Sequence, residues 1–121
     1  MSKHNPTIVN IQTLNEARTQ IQKIGCDPKS IEIMAPKALF KLIKMKNIVL
    51  QDAIIIKQDM LSIGGEVAIP KDAFELKEKS SDILIMGTLK QLHELVGKLN
   101  RHYPRINAIS KELFLILENI C

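Results

Sequence analysis

A chain of 121 residues has room for one domain and one core, and with three Phe, one Tyr and no Trp that core must be filled by Ile, Leu, Val and Met. So few rings argue against a base-stacking nucleic-acid module, and 17 Lys and Arg against 13 Asp and Glu make only a mild positive excess. No run approaches the ~20 apolar residues that span a bilayer, and Met1-Ser2-Lys3-His4-Asn5-Pro6 lacks the apolar stretch of a signal peptide, so a cytoplasmic location is expected.

Residues 1–6 are expected to be flexible. Residues 7–12, Thr-Ile-Val-Asn-Ile-Gln, alternate as a short first strand would. Thr13 and Glu16 have the spacing of a capping box and open a helix, with Leu14, Ala17, Ile21 and Ile24 on one face and Gly25 as its left-handed stop. Ile31 and Ile33 suggest a strand ending before Pro36. The stretch from Ala38 to Lys46 fits either period: Lys37, Lys41 and Lys44 share a helical face, whereas Leu42, Lys44 and Lys46 alternate with Ile43 and Met45. A strand is preferred, because the span between Pro36 and Asn47 is short for a stable helix.

From Leu50 to Ile63, Ala53, Ile54, Met60 and Leu61 recur at helical spacing, and Gly64-Gly65 ends the pattern. Val67, Ala68 and Ile69 form a short strand closed by Pro70. A charged excursion from Lys71 to Ser81 then leads to the buried strand Ile83-Leu84-Ile85-Met86. Gly87-Thr88 ends that strand and opens a helix, with Gln91 completing a second capping box and Leu89, Leu92, Val96 and Leu99 facing inward. Tyr103-Pro104 breaks it, and Ser110 is placed to cap a last helix through Leu113, Phe114, Leu117 and Ile120. This order predicts a single α/β domain over residues 1–121, an α/β sandwich with a mixed sheet and about four helices.

The most distinctive segment runs from Lys57 to Ile69, Lys-Gln-Asp-Met-Leu-Ser-Ile-Gly-Gly-Glu-Val-Ala-Ile. With Ile33-Met34-Ala35-Pro36-Lys37 before it and Ile85-Met86-Gly87-Thr88-Leu89 after it, it resembles the N-terminal domain that precedes the pterin-binding barrel in some bacterial and archaeal dihydropteroate synthases. The resemblance covers residues 20–100, with the three blocks in the family's order. It implies a free-standing relative of that extra domain, an accessory or partner subunit linked to pterin and folate biosynthesis, with a dihydropteroate-synthase-like barrel protein as partner. The synthase reaction belongs to the (β/α)₈ barrel, a fold of about 250 residues, so the chain is expected not to be an enzyme. A domain that normally packs on a barrel would keep an apolar surface when alone, and a homodimer is the simplest cover.

The residues themselves leave alternatives open. Gly64 and Gly65 fit a helix stop and tight turn, or one wall of a ligand site. Gly87 and Thr88 stand at a strand end and a helix N-terminus, where α/β proteins hold phosphate or carboxylate groups and where an ordinary cap also sits. Lys57, on the row of Ala53, Met60 and Leu61, can face a ligand or a structural ion pair, and Glu66 can position a ligand or face solvent. These six residues are the candidate site for a small anionic ligand such as a pterin or phosphate ester. Lys37, Lys41, Lys44 and Lys46 form a solvated face or a weak nucleic-acid patch, the latter disfavoured by the modest charge. No catalytic residue, metal ligand set or cofactor is indicated. His4, His93 and His102 lack ligand spacing, and Cys26 and Cys121 form no CxxC pair. Cys26 also follows a helix C-terminus, where the dipole does not favour a thiolate.

Overall fold

Helix α1 (Leu14–Gln22) begins where Thr13 and Glu16 place it. In this computed structural model, which describes residues 3–73 and 79–121, Thr13 Oγ1 accepts from the Glu16 amide at 3.1 Å. The Glu16 carboxylate reaches back one residue further than the box requires, accepting from the Gln12 amide at 3.3 Å. Gly25 has the left-handed backbone its position demands, at φ 83°, while Ile24 leaves the inner face and is 84% exposed. Residues 7–12 are not a strand here. They lie outside the sheet with Ile8 88% exposed, because alternation supplies propensity but not the neighbouring ladder a strand must bond to.

The segment around Ile31 and Ile33 is helix α2 (Pro28–Ala38), not a strand. Asp27 accepts from the Lys29 amide at 3.0 Å, and Pro28 occupies the first helical position, where its missing N–H costs nothing. Ile31, Met34 and Ala35 then turn inward at helical spacing, and Ile33 points to solvent. Pro36 is accommodated in the last turn, and the chain becomes extended at Leu39.

Strand β1 (Phe40–Val49) resolves the ambiguous lysine-rich stretch as a strand, and α3 (Leu50–Ile63), β2 (Glu66–Ala68), β3 (Ser80–Thr88) and α4 (Leu89–Leu99) follow as the periodicity predicts. The predicted excursion between β2 and β3 lies partly outside the described residues. Helix α5 (Pro104–Glu118) starts six residues before Ser110, because Pro104 at its first position opens the helix rather than merely ending the one before. Ser110 is buried inside α5, its hydroxyl donating to Asn107 O at 2.8 Å.

The described strands form one sheet in the order β1-β3-β2, antiparallel at both pairings. The mixed pairing expected from the element order is absent for a topological reason. β1 and β2, joined through α3, point the same way, but β3 is inserted between them and bonds to both, as in a split βαβ unit. Ile43, Ile85 and Val67 stand opposite one another across the three strands and are buried, as is Ile83. On this face the strands join Ala53, Ile56 and Met60 of α3, Leu92, Leu95 and Leu99 of α4, and Ile106, Leu113 and Leu117 of α5 in one cluster. Each of the Ile, Leu, Val and Met side chains among them contributes about 1.5–3 kcal/mol by leaving water. The other face carries Phe40 and Leu42, 56% and 59% exposed. Near the end of β1 the register slips between Met45 and Ile48, where Asn47 adopts φ 56°. The architecture is thus a small α/β domain with five helices and three strands among the described residues.

Candidate functional site

The C-terminus of α3, the start of β2, the end of β3 and the start of α4 meet at one corner of the sheet. Gly64 stops α3 at φ 101°, and its amide bonds Leu61 O while that of Gly65 bonds Met60 O, both at 3.1 Å, the paired bonds of a Schellman motif. Glu66 then pairs with Met86, so Gly65 and Gly87 come to lie close together on adjacent strands. The two glycine motifs therefore share one corner, with β2 beside β3.

What fills the space between them is Met60. A Cβ on Gly65 would stand 2.4 Å from Met60 Cε and 3.0 Å from its Sδ and Cγ, and one on Gly87 would stand 2.4 Å from the same Cε and 3.1 Å from Gln91 Oε1. Both glycines are thus needed to seat a fully buried methionine. Thr88 carries the complete capping box: its hydroxyl accepts from the Gln91 amide at 3.1 Å, and its own amide donates to Gln91 Oε1 at 2.9 Å. The Leu89 amide donates to Leu39 O at 2.8 Å. Three amides that open α4 are thereby bonded within the chain.

Lys57 and Glu66 face each other. Lys57 Nζ donates to Glu66 Oε1 at 2.8 Å and to Val67 O at 2.6 Å, so the lysine ties α3 to β2. The Lys57 hydrogen bond, with a second from the Val67 amide, holds the Glu66 carboxyl below its ordinary range. Of the six candidate residues, Gly64, Gly65, Gly87 and Thr88 are gathered around Met60 and Gln91, while Lys57 and Glu66 form a pair beside them. A shallow depression of about 340 Å³ next to this corner is lined by Lys37, Ile63, Thr88, Lys90, Gln91 and Glu94, so Thr88 alone of the six borders open space there.

A second polar cluster escaped the sequence reading. Asp52, fully buried on α3, receives Arg105 Nε at 2.5 Å and Nη2 at 2.8 Å, and the Tyr103 hydroxyl donates to the same carboxylate. Burial alone would push the Asp52 carboxyl up, but the hydrogen bonds from Arg105 and Tyr103 and the attraction of the guanidinium together hold it below its usual value. The bond to Asp52 raises the Tyr103 phenol in turn. About two turns along α3 from Asp52, Asp59 bonds His102 Nε2 at 2.8 Å. The only sequence signal for this cluster was a carboxylate on the apolar row of Ala53 and Ile56; its partners stand some fifty positions away and could not be read from spacing. Among the described residues no group of three or more His, Cys, Asp or Glu is placed to hold a metal ion, and no described helix is long and apolar enough to cross a membrane.

Comparison with known proteins yields a match to a bifunctional dihydropteroate synthase/dihydropteroate reductase of Helicobacter pylori (strain ATCC 700392 / 26695), 27% identical over 96 residues. The chain is distantly similar to part of that enzyme. The match covers 79% of this chain but only 25% of the relative, so the chain spans about a quarter of the relative's length. No family model matches the chain, and no solved structure matches it.

Proposed function

We propose that this protein is a non-catalytic domain related to those fused to dihydropteroate synthases, acting as an accessory or partner subunit of a barrel-bearing enzyme of pterin and folate biosynthesis. The observation that carries this reading is the lopsided match, which takes in most of this chain and a quarter of a bifunctional synthase/reductase. The corner geometry supports a structural use of its glycines, since Gly65 and Gly87 seat Met60 and the Lys57–Glu66 pair ties α3 to β2. The test is to mix the purified protein with the dihydropteroate synthase of the same cells. A stoichiometric complex on gel filtration and an altered kcat or KM for dihydropteroate formation are expected. No complex at roughly tens of micromolar, a range that captures even weak specific partners, would refute the reading.

A second reading, a small anionic-ligand protein, is favoured by one observation: Lys37 and Lys90 flank the depression beside Thr88 at the start of α4. In that case phosphate or a pterin should raise the melting temperature, and Lys90→Gln should remove the rise.

A further inference from the structure

Residues 7–12 have the alternation of a strand, with Thr7, Val9 and Ile11 on one side and Ile8, Asn10 and Gln12 on the other. They stand outside the sheet, Ile8 88% and Val9 56% exposed, and among the described residues no backbone hydrogen bond engages Ile8 to Ile11. β1 poses the complementary problem. It is a ten-residue strand bonded along one edge to β3, and its other edge displays backbone donors and acceptors. Beside β1 runs a groove of about 310 Å³ lined by Ile43, Lys44, Met45 and Lys46 of β1 and by Glu112, Leu113 and Ile116 of α5. An edge strand flanked by a helix, with Ile43, Met45, Leu113 and Ile116 as apolar walls in the groove between them, is a geometry that accepts an added strand.

The arm is rooted against the start of β1 and the last residue of the chain. Gln12 O accepts from Lys41 Nζ at 2.9 Å, the Leu14 amide donates to Cys121 O at 2.7 Å, and Ile11 packs on the core. From that root the arm leads into solvent rather than back along its own β1. We propose that residues 7–10 of one copy add as a strand to the free edge of β1 in a second copy, and reciprocally, giving an arm-exchanged dimer.

Charge decides between this occupant and β1 itself. Two β1 edges paired together would bring the lysines at 41, 44 and 46 of both copies within about one interstrand spacing, 4.7–4.9 Å, or its diagonal. The arm from Asn5 to Gln12 carries no charge. Alternation settles where its apolar side chains go. If Val9 enters the groove over Ile43 and Met45, Ile8 lands on the opposite face beside the exposed Phe40 and Leu42; in the other register the two exchange places. Either way the most exposed large hydrophobic side chain described in the protein becomes covered. Reciprocal exchange is isologous and closes as a dimer.

The experiment is sedimentation equilibrium of the full chain under reducing conditions, with amide exchange measured across the same concentrations. The wild-type protein should dimerise, and protection of Lys41–Lys46 and of Ile8–Asn10 should rise together with concentration. Ile8→Asp combined with Val9→Asp should weaken the dimer at least ~100-fold while leaving the far-ultraviolet circular dichroism and melting temperature of the monomer unchanged. A monomer at every concentration, a dimer that survives the double substitution, or an arm already protected in the monomer would each overturn the proposal. Because the wild-type exchange pattern is read independently, the proposal remains falsifiable even if the variant is poorly folded.

Discussion

At the scale of single residues, Met60 decides what Gly65 and Gly87 are for. If the glycines exist to seat the methionine, Gly65→Ala should destabilise by about 1–3 kcal/mol and Gly87→Ala by about 1 kcal/mol, the smaller cost because only the flexible side-chain ends of Met60 and Gln91 must yield there. Met60→Ala should cost about 2–5 kcal/mol through the cavity it leaves. Combining it with Gly65→Ala should cost less than the sum, since the new methyl enters that cavity, and strict additivity in urea unfolding would contradict the account. Asp52 carries the pH prediction. Its folded carboxyl lies below the unfolded value, so its contribution is present above about pH 4 and is lost as pH falls through the depressed folded value. Relative to Asp52→Asn, wild type should therefore lose stability more steeply as pH falls below about 4, and Arg105→Met should destabilise the protein near neutrality by stranding a buried carboxylate. Parallel pH profiles for wild type and Asp52→Asn would show that the carboxylate is not held by its partners. These residues also mark the limit of what the site's sequence discloses. Gly64-Gly65, Gly87-Thr88 and Gln91 are legible as turn and cap chemistry because that chemistry is local, whereas Met60 filling the gap and Arg105 reaching Asp52 depend on packing between distant segments.

At the scale of elements, the same added methyl group should act with opposite sign at two open positions. A Cβ on Gly25 or on Gly97 meets nothing within 4 Å, so space plays no part in either substitution. Gly25 sits at φ 83°, and Gly25→Ala should destabilise by roughly 1 kcal/mol; Gly97 lies inside α4, where Gly97→Ala should stabilise by about 0.5–1 kcal/mol. Thermal unfolding of the two variants checks both signs at once, and equal shifts would show that the end of α1 is not set by its left-handed residue. The elements that sequence reading places correctly, α1, β1, α3, β2, β3 and α4, each combine a period with a local start or stop signal. Those it misplaces lack one of the two. Residues 7–12 have the period without a partner strand. In α2, the pair Ile31 and Ile33 mimics alternation while Asp27-Pro28 supplies a helix start, and at Pro104 a residue that ends one helix also begins the next. The antiparallel order β1-β3-β2 is a long-range choice that no local signal encodes.

At the scale of the whole molecule, the described fold differs from a (β/α)₈ barrel. Its one described sheet has three antiparallel strands with its core on one face, an arrangement far from the eight parallel strands and about 250 residues of a (β/α)₈ barrel. The activities named for the Helicobacter pylori relative belong to a chain of which this match covers a quarter. Three sets of titratable groups on α3 are engaged within the chain: Asp52 with Arg105 and Tyr103, Asp59 with His102, and Lys57 with Glu66. Each ties α3 to another segment of the chain, which is the use a small domain makes of such groups when they hold a scaffold together. On the proposed accessory role, the purified protein alone should form no dihydropteroate, while any effect on that reaction should appear only when a barrel-bearing synthase is added and should saturate with the concentration of this chain. Turnover by the isolated protein that disappears on Asp52→Asn or Lys57→Met, with the fold intact by circular dichroism, would place the chemistry in this domain and overturn the assignment of an accessory role.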